Sequence, residues 1–456
     1  MGRRAAAVFL VCFAAYASTI GLDSFGPSDY GGDEPHYLLT ATSILEDGDV
    51  DLLDDYAERE YDDFYPYVLD PHGQLTDGRL NEPHGVGFPL LIAPALAIGG
   101  PKGVELLLAA LAAAAVALGY LLAARAVPDP WALGAALAVG LSPPFVAYGS
   151  AVYPELAAAA GLAGAALLAL RLDERPSRGD VFGCFALLGT MPWLGTKYVP
   201  AALVIGLFAI YALRRHHRGL LAFGGVELAL FSVAFYVGVN EALYGGPTPY
   251  AADVAGQTAT DAELPLGYLE RSYRLVALFI DRDYGLLRWA PVFLLAFAGL
   301  WLLWRARRER LASALPSHRR AELTAGLCAA AVGAALIVGA FLAPTMFGFW
   351  FPGRHIVTGL VFAIPLVAWG LRHAPRAGTA LGVIGVAASV WVWLDVRHGD
   401  GGLVGPLPDA PWGPLVEVFP LFAGSPWPYV FAGVVGAVLA GAAAWELWRD
   451  RSTAAT

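Results

Sequence analysis

Gly32-Asp33-Glu34-Pro35-His36-Tyr37-Leu38-Leu39 follows an apolar run over residues 5–22, which is itself preceded by Met1-Gly2-Arg3-Arg4. A basic start, an apolar stretch of spanning length and then a set of carboxylates is the pattern of a membrane segment that delivers a polar loop to the far face. With Arg3 and Arg4 inside, the loop lies outside. Ala15-Tyr16-Ala17 also resembles a small-residue cleavage site, but a retained anchor accounts better for an acidic loop held at the membrane. Inside the loop a short surface helix is expected over Pro35 to Glu46. Pro35 suits a first turn, Leu38, Leu39, Thr42 and Leu45 recur at helical spacing, and Gly48 is a stop.

Composition extends this reading to the whole chain. Only 15% of the 456 residues are charged and 57% are apolar, against about a quarter charged in a soluble domain, so an all-α polytopic membrane protein is expected. The net charge of −10 is unevenly placed. Residues 23–84 hold 17 acidic residues against Arg59 and Arg79, whereas the remainder carries +5. One acidic loop on a mildly basic body excludes nucleic acid as a partner and marks the loop as specialised. Cys12, Cys184 and Cys328 all fall inside apolar runs and show no metal-ligand spacing.

Beyond the first run, apolar segments recur near 86–98, 103–123, 131–149, 153–171, 181–195, 197–213, 220–240, 289–304, 322–342, 356–371, 378–394 and 429–448. About 12–13 transmembrane or membrane-embedded helices are therefore expected, in a single membrane domain over residues 1–456 with no separate soluble domain. Basic clusters at Arg171 to Arg178, Arg214 to Arg218, Arg305 to Arg320, Arg372 to Arg376 and Arg449 with Arg451 mark the inner face. They agree with strict alternation if 86–98, short and holding Pro89 and Pro94, enters the membrane without crossing it. That gives 12 crossings and both termini inside.

Asp33 and Glu34 have two readings on spacing alone. A carboxylate before proline is an ordinary helix cap, and a carboxylate where lipid meets water is also what a sugar transfer needs to accept a hydroxyl proton. Asp47, Asp49, Asp51, Asp55 and Glu58 fall at positions 1, 3, 5, 9 and 12 of a calcium-loop spacing, but position 6 is Leu52 rather than the glycine of the sharp turn. A solvated acidic segment is expected there. Tyr56, Tyr61, Phe64, Tyr65 and Tyr67 form an aromatic group suited to the interface or to a sugar face.

The Asp33-Glu34-Pro35-His36-Tyr37-Leu38-Leu39 and Ser43-Ile44-Leu45-Glu46-Asp47-Gly48-Asp49 segments after a first span resemble the GT-C class of membrane glycosyltransferases. The likeness is to the protein O-mannosyltransferases and the aminoarabinose transferases. It continues through Glu82-Pro83-His84-Gly85, Ser142-Pro143-Pro144 with Tyr153-Pro154-Glu155, Pro192-Trp193 with Lys197, Asp283 to Pro291, and Pro352-Gly353-Arg354-His355. The resemblance implies a GT-C-like fold with juxtamembrane helices in its large first outer loop. It also implies a polyprenyl-phosphate sugar as donor, an unidentified glycan, lipid or protein as acceptor, and transfer with inversion outside a bacterial cytoplasmic membrane.

Carried onto this sequence, the resemblance makes Asp33 the base, Glu34 its partner, and Glu155 the second acid, where the family often has Asp. A leaving phosphate needs cations near the outer face, and Arg354, Lys197 and His355 are placed for that. His36, Tyr37 and His84 flank the acids as a second rank. No metal site is assigned, although some enzymes of this class use a divalent cation and the Asp33 region leaves room for one. The rivals are a lipid or solute transporter or flippase, which usually carries charge near the membrane midplane, and a non-catalytic relative of the same fold.

Overall fold

The computed structural model describes residues 2–252 apart from 27, 74 and 77; 271–348 apart from 311–315; 350–405; 416–422; and scattered residues between 430 and 445. Most of the last apolar run, 429–448, the C-terminal arginines and residues 253–270 and 406–415 lie outside that set. Regular structure among the described residues is nearly all helical; the one described sheet is a two-stranded antiparallel hairpin pairing Leu75 with Leu80 and Thr76 with Arg79.

Among the described residues, seven helices are long and apolar enough to cross a membrane, and the chain is an integral membrane protein. The expected 12–13 took in shorter and interrupted segments as well: Trp131–Gly140 and Pro291–Arg305 are apolar but shorter than a full span, prolines and glycines cut other runs, and most of 429–448 lies outside the described residues. Helix α1 (Gly2–Ala17) is followed by α2 (Glu34–Glu46) and α3 (Leu53–Glu58) in the acidic loop. The runs 86–98 and 103–123 join as α4 (Gly87–Ala126), kinked at Gly100, whose φ of 60° and ψ of −160° are non-helical. The run 131–149 does not form one span. It breaks into α5 (Trp131–Gly140) and α6 (Pro143–Ala147), because Pro143 and Pro144 cannot continue the hydrogen-bond ladder of α5. Helix α7 is Glu155–Glu174, and the run 181–195 is likewise divided, into Arg178–Gly189 and Met191–Leu194, ahead of Pro192.

The bundle is organised around the helix Val357–His373, whose residues from Val357 to Leu371 are all buried. It packs against α4, α5, α7, Leu294–Arg310 and Pro316–Ile337. Small residues let the backbones close: a Cβ at Gly299 would strike the Leu366 carbonyl, and one at Gly370 the Leu295 carbonyl. A helix so enclosed reads as apolar all round, which is why its sequence shows no polar face.

The acidic loop has a small core of its own. Leu39, Leu52, Tyr61 and Leu69 are buried together, with Tyr56, Phe64 and Tyr65 packed against them. Most of the aromatic group expected to face a sugar or the interface is therefore spent on holding the loop together, and Tyr67 remains exposed. Leu45, expected on the apolar stripe of α2, is 42% exposed, whereas Leu38 and Leu39 are fully buried. Helix α2 packs on α4.

Candidate functional site

The site is built where the start of α2, the start of α7 and the turn before Val357 meet. Gly31 and Gly32 make the turn into α2. Gly32 has φ +58°, and a Cβ there would lie 2.9 Å from the Tyr153 hydroxyl, so both backbone and space favour glycine. Asp33 occupies the cap position of α2 but makes no side-chain cap hydrogen bond. Its Oδ2 instead accepts from Arg354 Nη2 at 2.6 Å. Burial raises the Asp33 pKa, but the Arg354 charge and hydrogen bond, with His84 and His36 nearby, outweigh it and leave the carboxyl well below the usual range.

Arg354 follows Gly353, which turns the chain with φ +96° into a 3-10 turn over Arg354–Ile356. Its guanidinium lies 4.4 Å from the centre of the Tyr153 ring and also reaches Glu155, with Nε 3.4 Å from Oε1. Glu155, at the start of α7, accepts a second ion pair at that oxygen from Lys197 Nζ, 2.7 Å away. Two acids and two cations from four separate stretches of chain thus form one chain of contacts, Asp33–Arg354–Glu155–Lys197. His355 adjoins it with its ring edge-on to Trp350 at 5.1 Å.

Glu155, Lys197, Arg354 and His355 line a cavity together with the apolar Leu162, Ala201, Ala331, Ala335, Val338 and Phe362, and Asp33 reaches it through Arg354. Glu155 Oε2, Tyr198 Oη and His355 Nε2 line it or border it, buried and without a hydrogen-bond partner among the described residues. The Tyr198 hydroxyl and the His355 ring can donate, and with the two cations they suit an anionic, oxygen-rich group, while Glu155 Oε2 can only accept. The free space is about 20 Å³, room for roughly one water.

Glu34 is turned away from this cluster. It is fully buried, with Oε1 accepting from Val152 N at 2.8 Å and Oε2 from Gly31 N at 3.1 Å. Burial pushes its pKa up to about 7, against the hydrogen bonds from Val152 and Gly31 that favour the charged form. This carboxyl joins the turn before α2 to the segment before α7. Glu34→Ala should therefore lower stability by about 2–4 kcal/mol by orphaning two buried N–H groups and opening a void. Thermal unfolding in detergent measures this, and wild-type stability would rule out the joining role.

A second layer surrounds Asp33 on the loop side. His36 Nδ1 lies 2.7 Å from the Tyr56 hydroxyl, which donates to Glu82 Oε1 at 2.5 Å. His72 Nδ1 and His84 Nε2 are 3.0 Å apart, and the Tyr37 ring packs on His84 and Phe88. Burial lowers the His84 pKa to about 4, although Asp33 and Glu82 favour its charged form. Asp33, His72 and His84, or His36, His72 and Glu82, each offer three ligand atoms within 4.8 Å of one another. Glu82 Oε2 is buried with no hydrogen-bond partner among the described residues and lies 3.8 Å from His84 Nε2, so the donor set fits a divalent cation.

Arg271 and Arg274 donate to the carbonyls of Phe341, Ala343 and Pro344, and Arg288 to that of Arg282. Sequence reasoning did not single out Tyr153, Tyr198, Tyr56 or His72 as site residues. For His72 the one available signal was that three of the nine histidines fall in the acidic loop.

No family model matches the chain, and no curated protein matches it. Among solved structures it is similar to ArnT from Cupriavidus metallidurans in the apo state, at 16% identity with a TM-score of 0.48 over 83% of this chain. The chain spans 60% of that protein's length. A likeness at this level fixes neither donor nor acceptor.

Proposed function

We propose that the protein is a glycosyltransferase that moves a sugar from a polyprenyl-phosphate donor to an acceptor hydroxyl on the outer side of the membrane, with inversion. The observation that carries this reading is Arg354 bridging Asp33 and Glu155, beside Lys197, at the polar end of an otherwise apolar cavity. The lipid occupies the apolar part and its phosphate meets Arg354 and Lys197. The acceptor oxygen bonds to the anomeric carbon as the bond from that carbon to the phosphate oxygen breaks. Asp33 takes the hydroxyl proton, and the electron pair of the broken bond leaves on the phosphate.

Held against Arg354, Asp33 is ionised but a poor base. Transfer of Arg354 toward the donor phosphate restores its basicity, so donor binding and base activation are one event. Glu155 holds Lys197 and Arg354 in reach of the phosphate. A cation held by the histidines near Asp33 would offset carboxylate and phosphate charge there. The acids lie at helix starts rather than midway along spans, which favours surface chemistry over translocation.

The test is release of polyprenyl phosphate by purified protein in nanodiscs, across a panel of polyprenyl-phosphate sugars with cell-envelope extract as acceptor. Release by the wild type and not by Asp33→Asn is expected. Movement of the intact lipid across the bilayer without release would replace the enzyme with a flippase. The orientation has its own check. Val68 is 68% exposed on the acidic loop, so Val68→Cys should react with a membrane-impermeant thiol reagent in intact cells. Reaction only after lysis would place the site on the wrong face.

A further inference from the structure

At the other end of α2 from Asp33, three carboxylates converge that the proposed reaction does not use. Asp47 closes α2, Asp55 lies on α3, and Glu60 opens the 3-10 turn Glu60–Asp63. One oxygen from each lies within 4.8 Å of the others. Asp55 is only 1% exposed, and neither of its carboxylate oxygens has a hydrogen-bond partner among the described residues; nor does Glu60 Oε2. A buried carboxyl is ordinarily paired or hydrogen-bonded, because desolvation otherwise goes uncompensated.

Among the described residues, no cation is paired with Asp47, Asp55 or Glu60. Arg59, the adjacent basic residue, turns outward and holds Asp62 through Nε and Nη2, at 3.0 and 2.8 Å. Glu46, Asp54 and Glu58 add further negative charge around the cluster. The C-terminal end of α2 contributes the negative end of its helix dipole at the same spot.

This grouping differs from the calcium-loop spacing legible in the sequence. Asp49 Oδ1 is taken by the Asp51 amide at 3.0 Å, and Asp51 Oδ1 by the amides of Leu80 and Leu53 at 2.8 and 3.3 Å. Those two carboxylates shape the backbone. Folding brings in Glu60 instead, and buries Asp55 facing it.

We propose that Asp47, Asp55 and Glu60 bind a calcium ion that pins the end of α2 to the α3 segment. The donors are all oxygens, which suits a hard cation rather than zinc. Asp47 is exposed, so water completes an irregular shell of the kind calcium accepts and magnesium resists. The brace reaches the second layer of the candidate site, because Asp55 precedes Tyr56, whose hydroxyl meets His36 and Glu82. It stands independently of the proposed transfer.

Full-length protein in nanodiscs, stripped with EGTA, is titrated with CaCl2 and with MgCl2 by calorimetry and then melted with and without calcium. One calcium per chain is expected, half-saturating on the order of 0.1–1 mM, with magnesium at least about tenfold weaker. Saturating calcium should raise Tm by about 3 °C. Asp55→Asn and Glu60→Gln should each lose the calcium heat and melt alike with and without the ion. In EGTA Asp55→Asn should melt no lower than the wild type, which shows that it is folded. Absence of binding up to 10-fold above that range, equal response to magnesium, or unchanged calcium binding by both variants would overturn the proposal.

Discussion

Asp33→Asn should lower the rate of polyprenyl-phosphate release by about 10²–10⁴-fold while the protein still folds and still binds donor lipid. Asparagine keeps the shape of the side chain and one oxygen for Arg354 Nη2, so the contact that positions the guanidinium survives in weaker form. What is lost is the charge that accepts a proton. The variant should melt within a few degrees of the wild type, because Arg354 retains Glu155. Turnover should be measured with donor saturating, so that a binding defect is not mistaken for a chemical one. Full activity would remove Asp33 as the base. Loss of donor binding in step with turnover would instead mark Asp33 as a residue that orients Arg354.

Arg354→Ala should act on both stability and turnover. The Arg354 side chain is 13% exposed and Glu155 2%. Its removal leaves Asp33 facing no cation and Glu155 dependent on Lys197 alone. Breaking a buried pair in this way costs about 3–5 kcal/mol, which shows as a clear drop in Tm and in the yield of monodisperse protein. Arg354→Lys separates the two roles. An ammonium restores a positive charge but cannot fork between Asp33 and Glu155, so much of the stability should return while release stays depressed by at least about 10²-fold. Recovery of both in the lysine variant would mean that a point charge suffices and that the two-way bridge has no function in transfer.

Legibility in the sequence followed the range of the signal. The helix expected from Pro35 to Glu46 forms as Glu34–Glu46, and Gly48 past its end has φ +79° and donates back to the Ser43 carbonyl at 3.0 Å. Those are local events within a few residues of each other. The run 131–149 misled because averaged hydropathy does not register Pro143-Pro144, although the pair is plain in the sequence. The site divides in the same way. Asp33, Glu155, Lys197 and Arg354 could be marked individually, each at the start of an apolar segment. Their meeting depends on how α2, α7 and Val357–His373 pack, which no spacing encodes. Glu34 shows the converse: adjacent to Asp33 in sequence, it points the other way on α2 and meets Val152 rather than Arg354.

The cavity beside Arg354 admits roughly one water, and a lipid-linked sugar is far larger. Any donor must therefore be received by a rarer, wider arrangement of α7, Val357–His373 and their neighbours. If that arrangement is populated at fraction f, the measured Kd exceeds the intrinsic one by 1/f. A wide form present one time in a hundred weakens apparent affinity a hundredfold, close to 2.7 kcal/mol. Substitutions far from the acids, at Gly299 or Gly370 where helix backbones touch, would then change donor affinity without touching the donor. In the proposed reaction the same threshold would keep water off the sugar, because Arg354 and Lys197 would become available to the phosphate only as the lipid takes its place.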